Sequence, residues 1–224
     1  MDSDSGSPQG TIGRRRFLER AACLTAGAGF LVAAGGEHAA WSGEAEELHI
    51  VGPKQGYAPH IGTLSSMMAF MRNQVVHSVT GLKLAELDFL LDAKANTIGA
   101  LLLHLAATET YYQLHTFEGV AWGSWPDAVK QKWDAASKLG DAGRASIKGK
   151  ALEYYLAILQ ETRAKTLAEL KKRDDKWLFA IDKTWAWGPT NNYCKWFHVC
   201  EHESNHNGQI KFLKGRLPGA HPAD

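Results

Sequence analysis

Three histidines fall within nine residues of the C-terminal part of the chain, His198-Val-Cys-Glu-His202-Glu-Ser-Asn-His206, and are followed by Asn207-Gly208-Gln209-Ile210. Residues four apart share one face of a helix, so either neighbouring pair can aim two imidazole nitrogens at one ion, at the roughly 2.0–2.1 Å of a zinc–nitrogen bond. One ion cannot take all three, because His198 and His206 would stand about 12 Å apart along a helix axis. At about 100° per residue, His202 and His206 share an arc with Val199, Ile210 and Leu213, while His198 falls at its margin beside Cys194. The later pair therefore faces the core. Such a pair can be two ligands, or two core rings each bonded to a carbonyl or a water. Two histidines leave a zinc-like ion short of protein ligands. A third ring from another helix completes one face and leaves positions open to water or substrate. His104, within Leu101-Leu102-Leu103-His104-Leu105-Ala106-Ala107-Thr108-Glu109, is a polar ring among apolar neighbours that needs a partner, whether metal, water or another side chain.

Other residues could serve the same chemistry. Glu109 and Glu203 are candidates to orient imidazoles or act on a metal-activated water, or else are solvated or capping carboxylates. Gln209 reads as a helix-end hydrogen-bonding residue. Tyr111, Trp185 and Trp187 could line an apolar substrate pocket or belong to the core. Cys194 and Cys200 read as buried thiols rather than nucleophiles. On one helix their Cα atoms would lie about 9 Å apart, beyond the roughly 7 Å that a disulfide spans. The chain has no glycine-rich phosphate loop and no Gly-x-Ser-x-Gly elbow.

Positioning these residues requires helices. Ile61, Leu64, Met68, Met71, Val75 and Val79 recur at steps of three and four, predicting a first helix that Gly81 can close. Asn96-Thr97 offers a cap for a second helix with the stripe Ile98, Leu101, Leu102, Leu105 and Tyr112. From 117 to 145 the pattern weakens at Gly119, Gly123, Pro126, Gly140 and Gly143, which predicts a crossover with a short helix near residues 127–139. Leu152, Tyr155, Leu156, Leu159, Thr166 and Leu170 define a third long helix, with Glu161, Lys165, Glu169 and Lys172 on its solvated side. After a tryptophan-bearing stretch that turns at Gly188-Pro189, a fourth helix is predicted over residues 190–213, stopped by Gly215 and Pro218. No strand alternation exceeds a few residues, so the fold class expected is all-α.

Twenty-five Lys and Arg nearly balance twenty-four Asp and Glu. No overall field favours nucleic acid, and none is expected as a partner. The N-terminal stretch has a composition of its own: Arg14-Arg15-Arg16-Phe17-Leu18 precedes a run of small and apolar residues over 21–34. A basic region before a short apolar one is the pattern of an export signal, and the run is too short and glycine-rich for a membrane span. The arginine pair before Phe17-Leu18 resembles the twin-arginine signal. Residues 1–42 are thus expected to be an export signal with its cleavage region, 43–56 a linker and 218–224 a tail. The mature protein is expected to be periplasmic or otherwise extracytoplasmic.

His104-Leu105-Ala106 with Glu109, and His202-Glu203-Ser204-Asn205-His206-Asn207-Gly208-Gln209-Ile210, resemble the two motifs of the DinB/YfiT-like family of metal-dependent proteins. The resemblance extends over residues 57–217. It implies a four-helix bundle with a long crossover, and a divalent metal (zinc, nickel or iron) held by His104, His202 and His206 at one end of the bundle, with His198 an extra residue nearby. It further implies a small-molecule substrate and thiol transfer as the first reading of activity. Metal-dependent hydrolysis and a purely structural metal are the alternatives. An exposed apolar face on such a bundle would allow a homodimer.

Overall fold

The chain divides into two units, residues 1–41 and 42–224. The structure, a computed structural model, describes residues 48–220. The first unit, with the whole twin-arginine stretch, lies outside the described residues.

Four long helices make the body of the described part: α1 (Pro59–Val79), α3 (Ile98–Thr116), α6 (Leu152–Leu170) and α8 (Asn192–Lys214), with the single-turn α2 (Leu84–Leu87) before α3. Helix α1 packs against α8 and, less extensively, α6; α3 packs against α6 and α8, which closes the bundle. Thr97 caps α3 by accepting a hydrogen bond from the Ala100 N–H, as its residue type predicts. The expected crossover between α3 and α6 carries two helices rather than one, α4 (Asp127–Lys138) and α5 (Gly140–Ser146), and α4 lies on α3. Their joint is Leu139, the one non-glycine residue among those described with positive φ (55°). That conformation is costly for a residue with a Cβ and ends α4 abruptly.

Between α6 and α8 the chain makes one further turn, α7 (Asp175–Leu178), and a two-stranded antiparallel ribbon that the sequence pattern did not anticipate. It pairs β1 (Ile181–Asp182) with β2 (Thr190–Asn191) and presents the intervening loop with Trp185 and Trp187. Residues 190–191, expected to be helical, are thus ribbon, and Asn191 caps α8 by accepting from the Cys194 N–H.

The core is split into two apolar clusters. Met68, Tyr112, Leu170 and Cys200 belong to one; Val75, Leu105, Leu159 and Ile210 belong to the other. On each long helix one charged residue stands between them: Arg72, Glu109, Arg163 and Glu203, all buried. These four form a polar layer across the bundle. Arg72 donates to Glu109 (2.8 Å) and Glu203 (2.5 Å), and Arg163 donates to Glu109 (2.8 Å) and Glu203 (2.5 Å). Burial alone would raise the Glu109 pKa, but Arg163 and Arg72 outweigh it and hold the carboxyl below its usual range. Among the described residues, no helix is long and apolar enough to cross a membrane.

Candidate metal centre

His104 stands on α3, and His202 and His206 lie one turn apart, midway along α8. Packing of α3 on α8 brings one nitrogen of each ring within 4.8 Å of the others. His104 Nε2 and His202 Nε2 are 2.9 Å apart, and the His202 and His206 ring centroids 4.4 Å. Two nitrogens bound to one ion at zinc-like bond lengths lie about 2.9 Å apart at a right angle and about 3.3 Å apart at a tetrahedral one. The spacing of the first pair therefore suits a shared ion.

The other ring nitrogens decide which atoms are free to coordinate. His104 Nδ1 donates to the Ala136 carbonyl at 2.9 Å. Ala136 lies in the last turn of α4, where carbonyls have no partner within the helix, and the Leu139 joint leaves that turn as a helix end. In the neutral His104 ring this hydrogen bond puts the proton on Nδ1 and the lone pair on Nε2. His206 Nδ1 is held by Gln209 Oε1 at 3.1 Å, which likewise leaves its Nε2 as the lone-pair nitrogen. A carbonyl or amide oxygen behind each of two imidazoles is the arrangement that orients metal-binding histidines and strengthens them as donors.

The electrostatics point the same way. Burial, followed by the neighbouring rings of His206, His104 and His198, pushes the His202 pKa down to about 3. Burial and His104 lower that of His206 to about 4. Burial also lowers His104, against the opposing pull of the Ala136 and Ser137 carbonyls. Neutral imidazoles are the form that coordinates. The donor set thus fits a borderline divalent ion. Among the described residues no thiolate or carboxylate joins the three histidines, so the cluster offers an ion one face only.

His202 also lines a cleft of about 230 Å³ walled by Tyr111, Tyr112, Trp122, Trp185 and Trp187, with His198 beside them. Tyr111, Trp185 and Trp187, which the sequence left open between pocket and core, line it, Tyr111 and Trp185 being buried as well; Trp122, from the glycine-broken crossover, was not a candidate. The ribbon loop is anchored by Asp182, whose carboxylate accepts from Lys195 Nζ (2.8 Å) and from the Thr184 N–H and hydroxyl, and these bonds, Lys195 first, hold its pKa far below the carboxylate range. The same ammonium sits 4.4 Å over the Trp185 ring.

Two expectations need correction. Glu109 and Glu203 neither orient the imidazoles nor lie in solvent: their carboxylates are taken by Arg72 and Arg163, and that of Glu109 also by Thr166. A helix turns about 100° per residue, so Glu203 points to the bundle interior while His202 points to the α3 seam. Cys194 is exposed, not buried; Cys200 is buried, and both are free thiols. Sequence reasoning missed the Ala136 carbonyl altogether, since a backbone oxygen has no residue-type signal.

The fold recurs in solved structures of distant sequence. An uncharacterised protein from Clostridium difficile 630 aligns at TM-score 0.54 and 14% identity, over 70% of this chain and 97% of that one. A protein from Streptococcus pneumoniae aligns at 0.55 and 15%, over 70% and 92%. A conserved protein from Enterococcus faecalis aligns at 0.52 and 15%, over 68% and 93%. No curated protein matches the sequence. The family model described as mycothiol-S-transferase matches residues 63–219, which include all four long-helix charges, the three histidines and the aromatic cleft, and the chain belongs to that family.

Proposed function

We propose that the protein is a metal-dependent thiol S-transferase whose divalent ion (zinc, nickel or iron) is held by His104, His202 and His206. The observation that carries this reading is the convergence of three neutral imidazoles, with no further protein ligand among the described residues, at the wall of an aromatic cleft. An ion in such a place supplies the positive charge that stabilises a thiolate at neutral pH. Ala136 and Gln209 keep the coordinating nitrogens unprotonated. The cleft walls exclude water and hold an apolar acceptor beside His202. The family's name supports a low-molecular-weight thiol as the donor.

The test is made on protein purified without a histidine tag. His104→Ala, His202→Ala and His206→Ala should each lose bound metal by elemental analysis and lose thiol consumption with it, since two ligands make a weak site. His198→Ala should keep the metal. Loss of metal in His198→Ala with retention in His206→Ala would place the ligand set one helical turn away. A loaded protein that consumes no thiol but cleaves esters or amides is a hydrolase, and one that only melts higher carries a structural ion.

We also propose export by the twin-arginine route, supported by Arg14-Arg15 before Phe17-Leu18 and by a described part that needs no disulfide. Changing Arg14 and Arg15 to Lys should leave precursor inside the cell; normal export of that variant would refute it.

A further inference from the structure

The transferase reading leaves the acceptor substrate open, and the cleft beside the histidines narrows it. None of its ten lining residues is Asp, Glu, Lys or Arg. Apart from an ion on the histidines, which the thiolate would meet, the lining offers a charged acceptor no counter-charge in return for its lost hydration. Trp185 meets Trp122 edge-on at 4.8 Å and Trp187 at 5.5 Å, and Trp122 meets Tyr112 at 5.0 Å. Trp122 and Trp187 remain 44% and 56% exposed, so the cleft presents apolar ring area that a ligand would cover. A cavity of about 150 Å³ takes a benzene, so one of about 230 Å³ admits a substituted single ring.

Within these apolar walls one ring nitrogen stands out. Tyr112, whose side chain is buried, has its hydroxyl 2.9 Å from His198 Nδ1. A phenol is a better donor than a neutral imidazole N–H, and an imidazole nitrogen a better acceptor than a phenol oxygen. Tyr112 therefore donates, and His198 carries its proton on Nε2. Nothing else in the described structure bonds that N–H. His198 lines the cleft four residues from His202, with Trp187 packed on its ring at 5.0 Å.

We infer that the cleft binds a flat, uncharged, electron-poor electrophile, with its aromatic or conjugated body against Trp122, Trp185 and Trp187 and an acceptor oxygen on the His198 Nε2–H. This rests on the transferase reading for the reaction but not for the binding. With a chloronitroarene the thiolate sulfur bonds to the ring carbon that bears chlorine, and the electron pair moves onto the nitro oxygens. Its return expels chloride, and the thiol proton passes to solvent. His198 holds the oxygen on which charge develops, as an oxyanion-hole donor does, and Tyr112 is a positioning residue that fixes its tautomer.

The experiment uses metal-loaded protein in two arms. In the first, unreactive 1,3-dinitrobenzene is titrated and tryptophan fluorescence followed. Saturable quenching is expected, weakened about tenfold or more in Trp187→Ala and in His198→Phe, the loss of one packed ring or one hydrogen bond. In the second, conjugation of 1-chloro-2,4-dinitrobenzene, which offers acceptor oxygens, is compared with that of benzyl chloride, which offers none. His198→Phe should lower kcat/KM for the first about tenfold more than for the second, while bound metal stays at the wild-type level. Tyr112→Phe should reproduce part of that change in preference. Quenching with the stated dependence but no conjugation of either compound would sink the transferase reading and leave the binding inference standing. Absence of saturable quenching, tight binding that ignores His198 and Trp187, or an equal loss for both electrophiles would overturn the inference itself.

Discussion

His202 and Glu203 are neighbours in the chain, yet they enter two polar clusters of opposite character. Glu203 joins Arg72, Glu109 and Arg163 in a layer where nearly every polar atom has a protein partner: Arg72 also donates to the Leu159 carbonyl, Arg163 to that of Met68, and Thr166 to Glu109, with only Glu203 Oε2 left over. Two cations and two anions cancel within the layer. His202 joins a cluster in which one nitrogen of each ring converges on the others, and among the described residues no carboxylate or thiolate answers the converging atoms. The first arrangement is balanced in charge as it stands and ties four helices into one register. The second is complete only when something else arrives. The two lie side by side because a helix turning about 100° per residue aims consecutive side chains at different neighbours.

The largest effect expected from breaking this contrast is on the closed layer. Glu109→Ala leaves two guanidinium groups buried with one carboxylate, and removing one partner of a buried pair costs about 3–5 kcal/mol, a fall of roughly 10 °C in Tm for a domain of this size. Changing Arg163→Met together with Glu109→Leu removes one charge of each sign and should recover a good part of that loss. Calorimetry decides, and a double variant no more stable than Glu109→Ala would show that the layer is not governed by charge balance.

The open cluster should respond in metal affinity rather than stability. Gln209 is exposed, accepting from His206 Nδ1 through Oε1 and donating to Asn205 Oδ1 at 3.4 Å. Gln209→Leu is expected to weaken metal binding about 10–100-fold, as loss of an orienting partner does, and to change the Tm of metal-free protein by less than about 0.5 kcal/mol equivalent. Competition with a chromogenic chelator measures the first quantity. Unchanged affinity would mean that the amide does not set the His206 tautomer.

The last effect concerns pH in metal-free protein. Above about pH 6.5 neither the folded nor the unfolded chain protonates these rings, and they contribute no pH dependence. Below it the unfolded chain takes up protons that folded His202 and His206 refuse until about pH 3 and 4, so stability falls as pH falls through that window. Tm should drop between pH 7 and pH 5, and His202→Asn should flatten the drop. A wild-type Tm that holds level over that interval would show that the rings are not kept neutral by their surroundings.

Much of this was legible from residue order. Helical periodicity placed the four long helices because burial of one face repeats every three to four residues, and His202 and His206 were chosen over His198 because they share the arc of Val199 and Ile210. The Thr97 cap and the tryptophans of the 171–189 stretch were legible for the same local reason. What only the tertiary structure decided depends on which helix faces which. Glu109 and Glu203 look like helpers of the adjacent histidines, but Arg72 and Arg163 come from helices 37 and 40 residues away respectively, and no local pattern encodes that meeting. The Ala136 carbonyl became the partner of His104 because α4 folds back over α3 and ends there, and Trp122 entered the cleft from a segment whose glycines spoke only of a turn. Local sequence determines which side chains can share a face; the packing of distant segments determines whether a polar group on that face is answered from within the protein or left for a ligand.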